Sequence, residues 1–179
     1  MKSFARNFRY WLPTLFWLGV IAFESFRLSS AVTGGWLWRV LQILHVQISA
    51  ESFTALHHFL RKAGHLTGYG LLCVLLFRSW FHTLLEEPGL TDRGELMEPA
   101  SRNLARLGLH WRCAGLAISM TLLTAILDEW HQSFDLSRTG TPWDVALDIA
   151  GGICFLLIAL FGFKLWRTRQ VEKFQEVSA

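Results

Sequence analysis

The sequence predicts an all-α membrane protein, a bundle of four transmembrane helices, and three observations lead to that fold class. Of the 179 residues, 52% are hydrophobic and only 17% are charged, whereas soluble domains contain about 25% charged residues. The mean hydropathy is positive, at +0.32. Four apolar segments, each close to the roughly 20 residues that a helix needs to cross a bilayer, cover about 10–26, 60–81, 112–130 and 143–166.

The first apolar segment follows a basic N-terminus and is interrupted by Pro13 and Glu24. A basic start, an apolar run and the small residues Ser29, Ser30 and Ala31 would also fit a cleaved signal peptide. We favour an uncleaved span, because the apolar run is longer than a usual signal core and Glu24 lies late in it.

An amphipathic helix on the membrane surface is predicted between spans 1 and 2. Apolar residues recur there at helical spacing, while polar residues fall on the other side. A helix packed on the bundle is the alternative, and both interpretations are structural. The apolar residues are Trp36, Leu37, Val40, Leu41 and Leu44, and the polar ones are Arg39, Gln42 and His45.

A polar insert, 82–111, separates spans 2 and 3 and contains Pro88, Gly89, Gly94 and Pro99. Glycine and proline at this density indicate a loop, with room for a short helix near 102–109. Residues 1–166 then form a single domain, and residues 167–179 form a polar C-terminal tail.

The basic residues predict the orientation, because lysine and arginine favour cytoplasmic loops. Twelve of the 17 lie on one side of the predicted topology and five on the other, which places the insert and both termini in the cytoplasm. They cluster at the ends of apolar segments, so the sequence pI near 9.0 reflects topology and not nucleic-acid binding. The twelve are Lys2, Arg6, Arg9, Arg78, Arg93, Arg102, Arg106, Arg112, Lys164, Arg167, Arg169 and Lys173.

Ionisable side chains concentrate at the extracytoplasmic end of the predicted bundle, and this is the strongest evidence in the sequence for a site. The end of span 1, the start of span 2, the end of span 3 and the start of span 4 all lie there. Charged groups within a membrane domain are costly and usually have a partner or a function. The residues that converge are Glu24, Arg61, Lys62, His65, Asp128, Glu129, His131, Gln132, Asp144 and Asp148.

A divalent cation is one ligand that this end could hold. Asp144 and Asp148 are four residues apart and share a helix face. Together with a histidine they could bind Mg²⁺, Mn²⁺ or Ca²⁺. The cysteines lie far apart in apolar segments and show no disulfide or metal-type spacing.

A phosphate is a second ligand, and acid–base chemistry is a third use of the same residues. Arg61, Lys62 and Arg138 could hold a phosphate, the last with two parallel hydrogen bonds. His65 or His131 could act as a general base or nucleophile, tuned by a neighbouring acid.

A purely structural interpretation competes with these three functional ones, which are cation binding, phosphate binding and acid–base chemistry. Arg138 and Arg61 would then only neutralise nearby acids and lock the hairpin between spans 3 and 4. Tyr69, Trp130 and Trp143 also fit an aromatic belt at the membrane surface. For the intramembrane histidine and acids together we favour a functional site.

Two motifs resemble those of the VanZ-like family. RKAGHLTGY (61–69) is similar to its first motif, a basic pair, a histidine and an aromatic residue one turn on. DEWHQSFDLSR (128–138), followed by Asp144, Asp148 and a Gly-Gly pair, is similar to its second. The family often has Asn where this chain has Asp148, and Pro-Gly where it has Leu136 and Ser137. The added charge of Asp148 favours an ion or a stronger salt bridge.

With the four-span layout, the resemblance covers most of residues 1–165. It implies a multi-pass protein of the bacterial inner (plasma) membrane. The family's namesake is associated with resistance to teicoplanin, a lipid-bearing glycopeptide, which is a phenotype and not a reaction.

The residues and the resemblance together give a set of expected roles. The catalytic residues are His65, Glu129, Asp128 and His131. The substrate-binding residues are Arg61, Lys62, Tyr69, Gln132 and Arg138. The candidate metal ligands are Asp144 and Asp148.

We expect action on, or recognition of, an anionic lipid-linked envelope component at the outer leaflet, with membrane lipids as further partners. If the protein is an enzyme, it is a phosphate-ester hydrolase or transferase. The rival class is a non-enzymatic protein whose ion-paired extracytoplasmic tip shields the surface or contacts a partner. A small transporter ranks last, because the charges gather at one end and not at the midplane.

Overall fold

The structure, a computed structural model, describes residues 2–27, 30–85, 98–134 and 141–177. Those ranges contain five α-helices and no strand, so the all-α prediction is confirmed. The helices are α1 (Lys2–Arg27), α2 (Ser30–Ile43), α3 (Ala50–Leu84), α4 (Pro99–Gln132) and α5 (Pro142–Val177).

Local sequence determines where three of the helices begin. The Ser49 side chain accepts a hydrogen bond from the Ser52 N–H at 3.1 Å and caps α3. α4 begins with Pro99, at a position where no backbone donor is needed. Before α5, the Thr141 hydroxyl donates to the Asp144 carboxylate at 2.8 Å. An acid in the first turn also suits the helix dipole, and these contacts fix Asp144 at the start of α5.

α3 is the central helix, because it packs against α1, α4 and α5, while α4 also packs on α5. A buried apolar cluster joins the three helices α3, α4 and α5. Its members are Tyr69, Leu72, Cys73, Leu76, Ala117, Ala125 and Leu156.

Polar contacts join α1 to α3 in the interior. The Ser79 hydroxyl donates to the Tyr10 carbonyl at 2.9 Å and lies 2.8 Å from the hydroxyl of Thr14, which is fully buried. The Trp17 indole N–H donates to the Gly68 carbonyl at 2.9 Å. Such bonds are typical of helix contacts in membranes, where each contributes about 0.6 kcal/mol on average.

The backbones of α3 and α5 approach each other closely at Gly151. A Cβ atom added there would overlap the carbonyl group of Leu66. A Cβ on Gly70 would lie 2.6 Å from the ring of Phe155. Small residues allow membrane helices to pack backbone against backbone, and here they do so next to His65.

α2 lies against the start of α3 and turns an apolar stripe outward. Trp38 makes an edge contact with Phe53 of α3, and Leu41 is buried. Trp36, Val40 and Ile43 of α2 are exposed, as is Leu44 just beyond its end. This stripe is compatible with the predicted membrane-surface helix.

Two helices are long and apolar enough to cross a membrane, Asn103–Gln132 and Pro142–Gln170. The number of candidate spans rises to three if Phe8–Arg27 and Ser30–Ile43 are counted together as one bent span. The described helices therefore indicate a membrane protein with two or three candidate spans, fewer than the four predicted. α3 is not among them, because the polar residues and glycines around His65 lower its hydropathy.

The helices extend beyond the predicted spans. α4 begins at Pro99, so the short helix expected near 102–109 is part of α4, and α5 continues through most of the predicted tail. Residues 86–97 of the predicted insert lie outside the described residues. Hydropathy marks the apolar stretch but not the helix end, because polar turns outside the bilayer continue the same backbone hydrogen bonds.

Candidate functional site

A cavity of about 70 Å³ lies at one end of the bundle, between the first half of α3, the last turns of α4 and the first turns of α5. This volume has room for several water molecules or a small oxyanion. Most of the sequence-predicted residues on these three helices meet there. The lining residues are His58, Arg61, Lys62, His65, Glu129, Gln132, Asp144 and Leu147.

His65, Glu129 and Asp148 form the central group of the site. One ligand atom from each lies within 4.8 Å of the others. The Nδ1 atom of His65 is 3.4 Å from Oδ1 and 3.5 Å from Oδ2 of Asp148. Asp148 is fully buried, and Glu129 is 7% exposed. The acid in contact with His65 is therefore Asp148, which the sequence analysis placed among the metal ligands and not among the catalytic residues.

The central group carries buried carboxylate oxygens that lack donors. Oε2 of Glu129 and Oδ1 of Asp148 have no hydrogen-bond partner among the described residues, and the same holds for Oδ1 of Asp128 beside the group. Burying a carboxylate without a donor is costly, and two carboxylates close together repel each other. The arrangement therefore favours a positive charge between them, either a proton or a metal ion.

Asp128 stands beside the central group in a small hydrogen-bond network. The Tyr69 hydroxyl donates to its Oδ2 atom at 2.8 Å, and the Gln132 amide donates to the same atom at 2.9 Å. Tyr69 and Gln132, expected to bind substrate, thus hold Asp128 in place. Their role toward a substrate stays a prediction.

Asp144 sits at the outer side of the cavity and pairs with Lys62. The Nζ atom of Lys62 lies 3.4 Å from Oδ1 of Asp144, with side chains 44% and 23% exposed. Thr141 donates to the other oxygen at 2.8 Å. Asp144 is not part of the group whose atoms converge on a possible ion. Arg138, the expected partner of Asp144 in the structural interpretation, lies outside the described residues.

A second cavity of about 30 Å³ lies on the α1 side of His65. It shares Arg61, His65 and Gln132 with the first cavity and is also lined by Glu24 and Asp128. His65 therefore stands between two polar cavities.

Contacts between α2 and α3 border the second cavity. Arg61 donates a hydrogen bond to the Ser30 hydroxyl, and the Thr33 hydroxyl lies 2.9 Å from Nε2 of His57. His57 precedes the predicted second span. Burial and the nearby positive charges of Arg61 and His58 lower the pKa of His57, which favours the neutral ring in this contact.

His131 lies on the α1 side, apart from the central group. Its Nδ1 atom is 3.3 Å from the Ser25 hydroxyl, and its ring centroid is 4.2 Å from that of Phe26. The physical reason is helix geometry, because two residues beyond Glu129 the side chain points about 200° away. These contacts do not bring His131 into the central group, and its expected catalytic role stays a prediction.

The sequence analysis missed His58 as a lining residue. It lies seven residues, about two helical turns, before His65, and that spacing is the signal that could have found it. The packing role of Gly151 was also missed, although the Gly-Gly pair stood in the second motif.

No curated protein and no solved structure matches the chain. The family model described as VanZ/LLP1 matches residues 8–165, which include both motifs and every residue that lines the two cavities. The resemblance inferred from the motifs is confirmed: the chain belongs to the VanZ/LLP1 family.

Proposed function

We propose that this protein acts on, or recognises, an anionic lipid-linked component of the bacterial envelope at the outer leaflet of the inner membrane. Its family suggests a membrane protein of the kind linked to glycopeptide resistance. The observation that carries the proposal is the polar cavity, where Arg61, Lys62 and His65 meet at one end of an apolar bundle.

The proposal includes a four-span topology, with α1 and α3 as spans beside α4 and α5. α3 packs on three neighbours, and its polar side chains His65, Tyr69 and Ser79 are buried or mostly buried among them. A helix in that position does not need the hydropathy of a lipid-facing helix. The split of the basic residues then places the cavity outside and both termini in the cytoplasm.

The cavity suits the head group of a phosphate-bearing lipid better than a whole lipid. Its volume of about 70 Å³ is that of a few waters, and the acyl or isoprenoid chain would remain in the bilayer. Arg61 and the half-exposed Lys62 offer donors to phosphate oxygens. Arg138 is expected to add a bidentate contact.

Phosphate-ester hydrolysis is the reaction that the residues support best. His65 takes the proton from a water molecule as the water oxygen forms a bond to phosphorus. The bond from phosphorus to the lipid oxygen breaks, and the proton returns to that leaving oxygen. Asp148, in contact with Nδ1 of His65, orients the ring and stabilises its charged form.

The test is substitution of His65 by glutamine, which cannot take up a proton at neutral pH. The full chain in lipid nanodiscs would be given a long-chain lipid phosphate, and released inorganic phosphate measured. The expected result is a folded His65→Gln protein without phosphate release. The matched control is His82→Gln at the other end of α3, where the ring stacks on Tyr10. Equal release by both variants would remove His65 from the reaction.

One observation favours the non-enzymatic alternative, the ion pair between Lys62 and Asp144. In that case the pair matters for stability, and His65→Gln leaves the cell phenotype unchanged. Lys62→Gln combined with Asp144→Asn should then restore function lost in either single variant. In the enzyme interpretation the His65 variant is inactive whatever the state of this pair.

A further inference from the structure

We propose that His65, Glu129 and Asp148 bind one divalent transition-metal ion, of the Mn²⁺ or Zn²⁺ type, and that Asp144 is not a ligand. The inference rests on the proposed function and deepens it, because it assigns an ion to the same cavity. The sequence alone pointed to Asp144 and Asp148.

The distances leave room for such an ion. The three ligand atoms lie within 4.8 Å of one another, so a point can be found no more than about 2.8 Å from each of them. Zinc–nitrogen and zinc–oxygen bonds are about 2.0–2.2 Å long. Each ligand would have to move inward by roughly 0.7 Å, which small side-chain rotations can supply.

Two of the three buried carboxylate oxygens without a hydrogen-bond partner belong to this group, and the third belongs to Asp128. Glu129 and Asp148 are both more than nine-tenths buried. Within the described part of the chain, Oε2 of Glu129 and Oδ1 of Asp148 have no hydrogen-bond partner. A divalent ion would satisfy both oxygens and remove the repulsion between the two carboxylates.

The types of ligand atom indicate which ion this site would bind. An imidazole nitrogen favours transition metals over Mg²⁺ and Ca²⁺, while carboxylates accept Mn²⁺ and Zn²⁺ alike. Asp144 differs from Glu129 and Asp148, because Lys62 and Thr141 already contact its two carboxylate oxygens.

The ion would also reduce the repulsion between a bound phosphate and the acids that surround the cavity. A phosphate entering this cavity meets Glu129 and Asp148 as well as the cations, and Lys62 is already paired with Asp144. A divalent ion bound by the central group would offset the negative charge of the two carboxylates and attract the phosphate. With the ion bound, His65 would hold the metal, and this role would replace the general-base role given to it above. Phosphate release would then require the metal.

The experiment uses the full chain, purified in detergent and stripped with EDTA. MnCl₂ is titrated in, and free Mn²⁺ is followed by electron paramagnetic resonance. We expect one ion per chain, competition by ZnCl₂, and binding weakened about tenfold or more by Asp148→Asn and by Glu129→Gln. Circular dichroism checks that each variant is folded. The control is Glu24→Gln, an acid that lines the second cavity outside the central group, and its affinity should be unchanged.

Two results would overturn the proposal. One is a folded wild-type chain that binds neither Mn²⁺ nor Zn²⁺ up to about 1 mM. The other is a folded Asp148→Asn or Glu129→Gln protein with wild-type affinity. The proposed function can fail separately from the metal site. If the protein binds Mn²⁺ but neither binds nor hydrolyses lipid phosphate, only the proposed function is rejected. If it releases phosphate and EDTA does not affect the release, only the metal site is rejected.

Discussion

Replacing Gly151 with alanine should push α3 and α5 apart directly behind the cavity. The added Cβ would overlap the Leu66 carbonyl oxygen and lie 3.0 Å from its carbonyl carbon. Carbon atoms in good contact are about 3.5 Å apart, so the backbones must separate by roughly 0.5 Å. Leu66 follows His65, and Gly151 comes three residues after Asp148. The same movement would stretch the 3.4 Å contact between His65 and Asp148 beyond hydrogen-bond range.

The size of the effect follows from two opposing contributions to the free energy of unfolding. Overpacking of this kind costs about 1–3 kcal/mol, whereas glycine to alanine inside a helix gains about 1 kcal/mol. Gly162, in the same helix, has nothing within 4 Å of an added Cβ, so Gly162→Ala should show the gain alone. The two variants should therefore differ by about 1–3 kcal/mol, or roughly 2–12 °C in Tm for a chain of this length.

The assay compares Tm of the two alanine variants in the same detergent, together with phosphate release and Mn²⁺ binding. We expect Gly151→Ala to melt below Gly162→Ala and to lose both site activities. If Gly151→Ala melts at or above the control and keeps them, the close approach of α3 and α5 does not position the site, and the reasoning fails.

Four further predictions follow from the same structure. Tyr69→Phe removes the donor to Asp128 and should lower the unfolding free energy by about 1.5–3 kcal/mol, measured by thermal unfolding. Lys62→Gln should cost at most about 1 kcal/mol, because the pair with Asp144 is partly exposed, and Asp144→Asn in addition should recover much of that loss. Below pH 6.5, the usual pKa of His57, stability should fall as this ring is forced to protonate, and His57→Gln should flatten that slope of Tm against pH. Tags at both termini should stay inaccessible from outside intact cells, and labelling of either tag would reverse the proposed orientation.

The class of the fold was predictable from sequence, because composition and apolar segments of bilayer length need no tertiary information. The helix ends were not, as α4 shows. Its first turns are polar and read as a loop, yet Pro99 starts a helix that continues to Gln132. Polarity reports which turns face water and does not report where the backbone hydrogen bonds stop.

Much of the candidate site was predictable for a topological reason. If the chain crosses a membrane back and forth, the start of α3, the end of α4 and the start of α5 must share one end of the bundle, and His65, Glu129 and Asp148 do meet there. Which acid contacts His65 was not predictable. Asp144 and Asp148 share a face of α5, and Asp148 is the one nearer to Gly151, where α5 packs closely on Leu66, the residue after His65.

An experimental structure of the full chain in lipid, soaked with a long-chain lipid phosphate, tests the central claim most directly. The account predicts phosphate density in the cavity of about 70 Å³, within hydrogen-bond distance of Arg61 and Lys62 and beside His65. The lipid chain should leave the cavity toward the bilayer. A phosphate bound elsewhere, with Lys62 and Asp144 still paired across a cavity that holds only water, would contradict the account and favour the non-enzymatic interpretation.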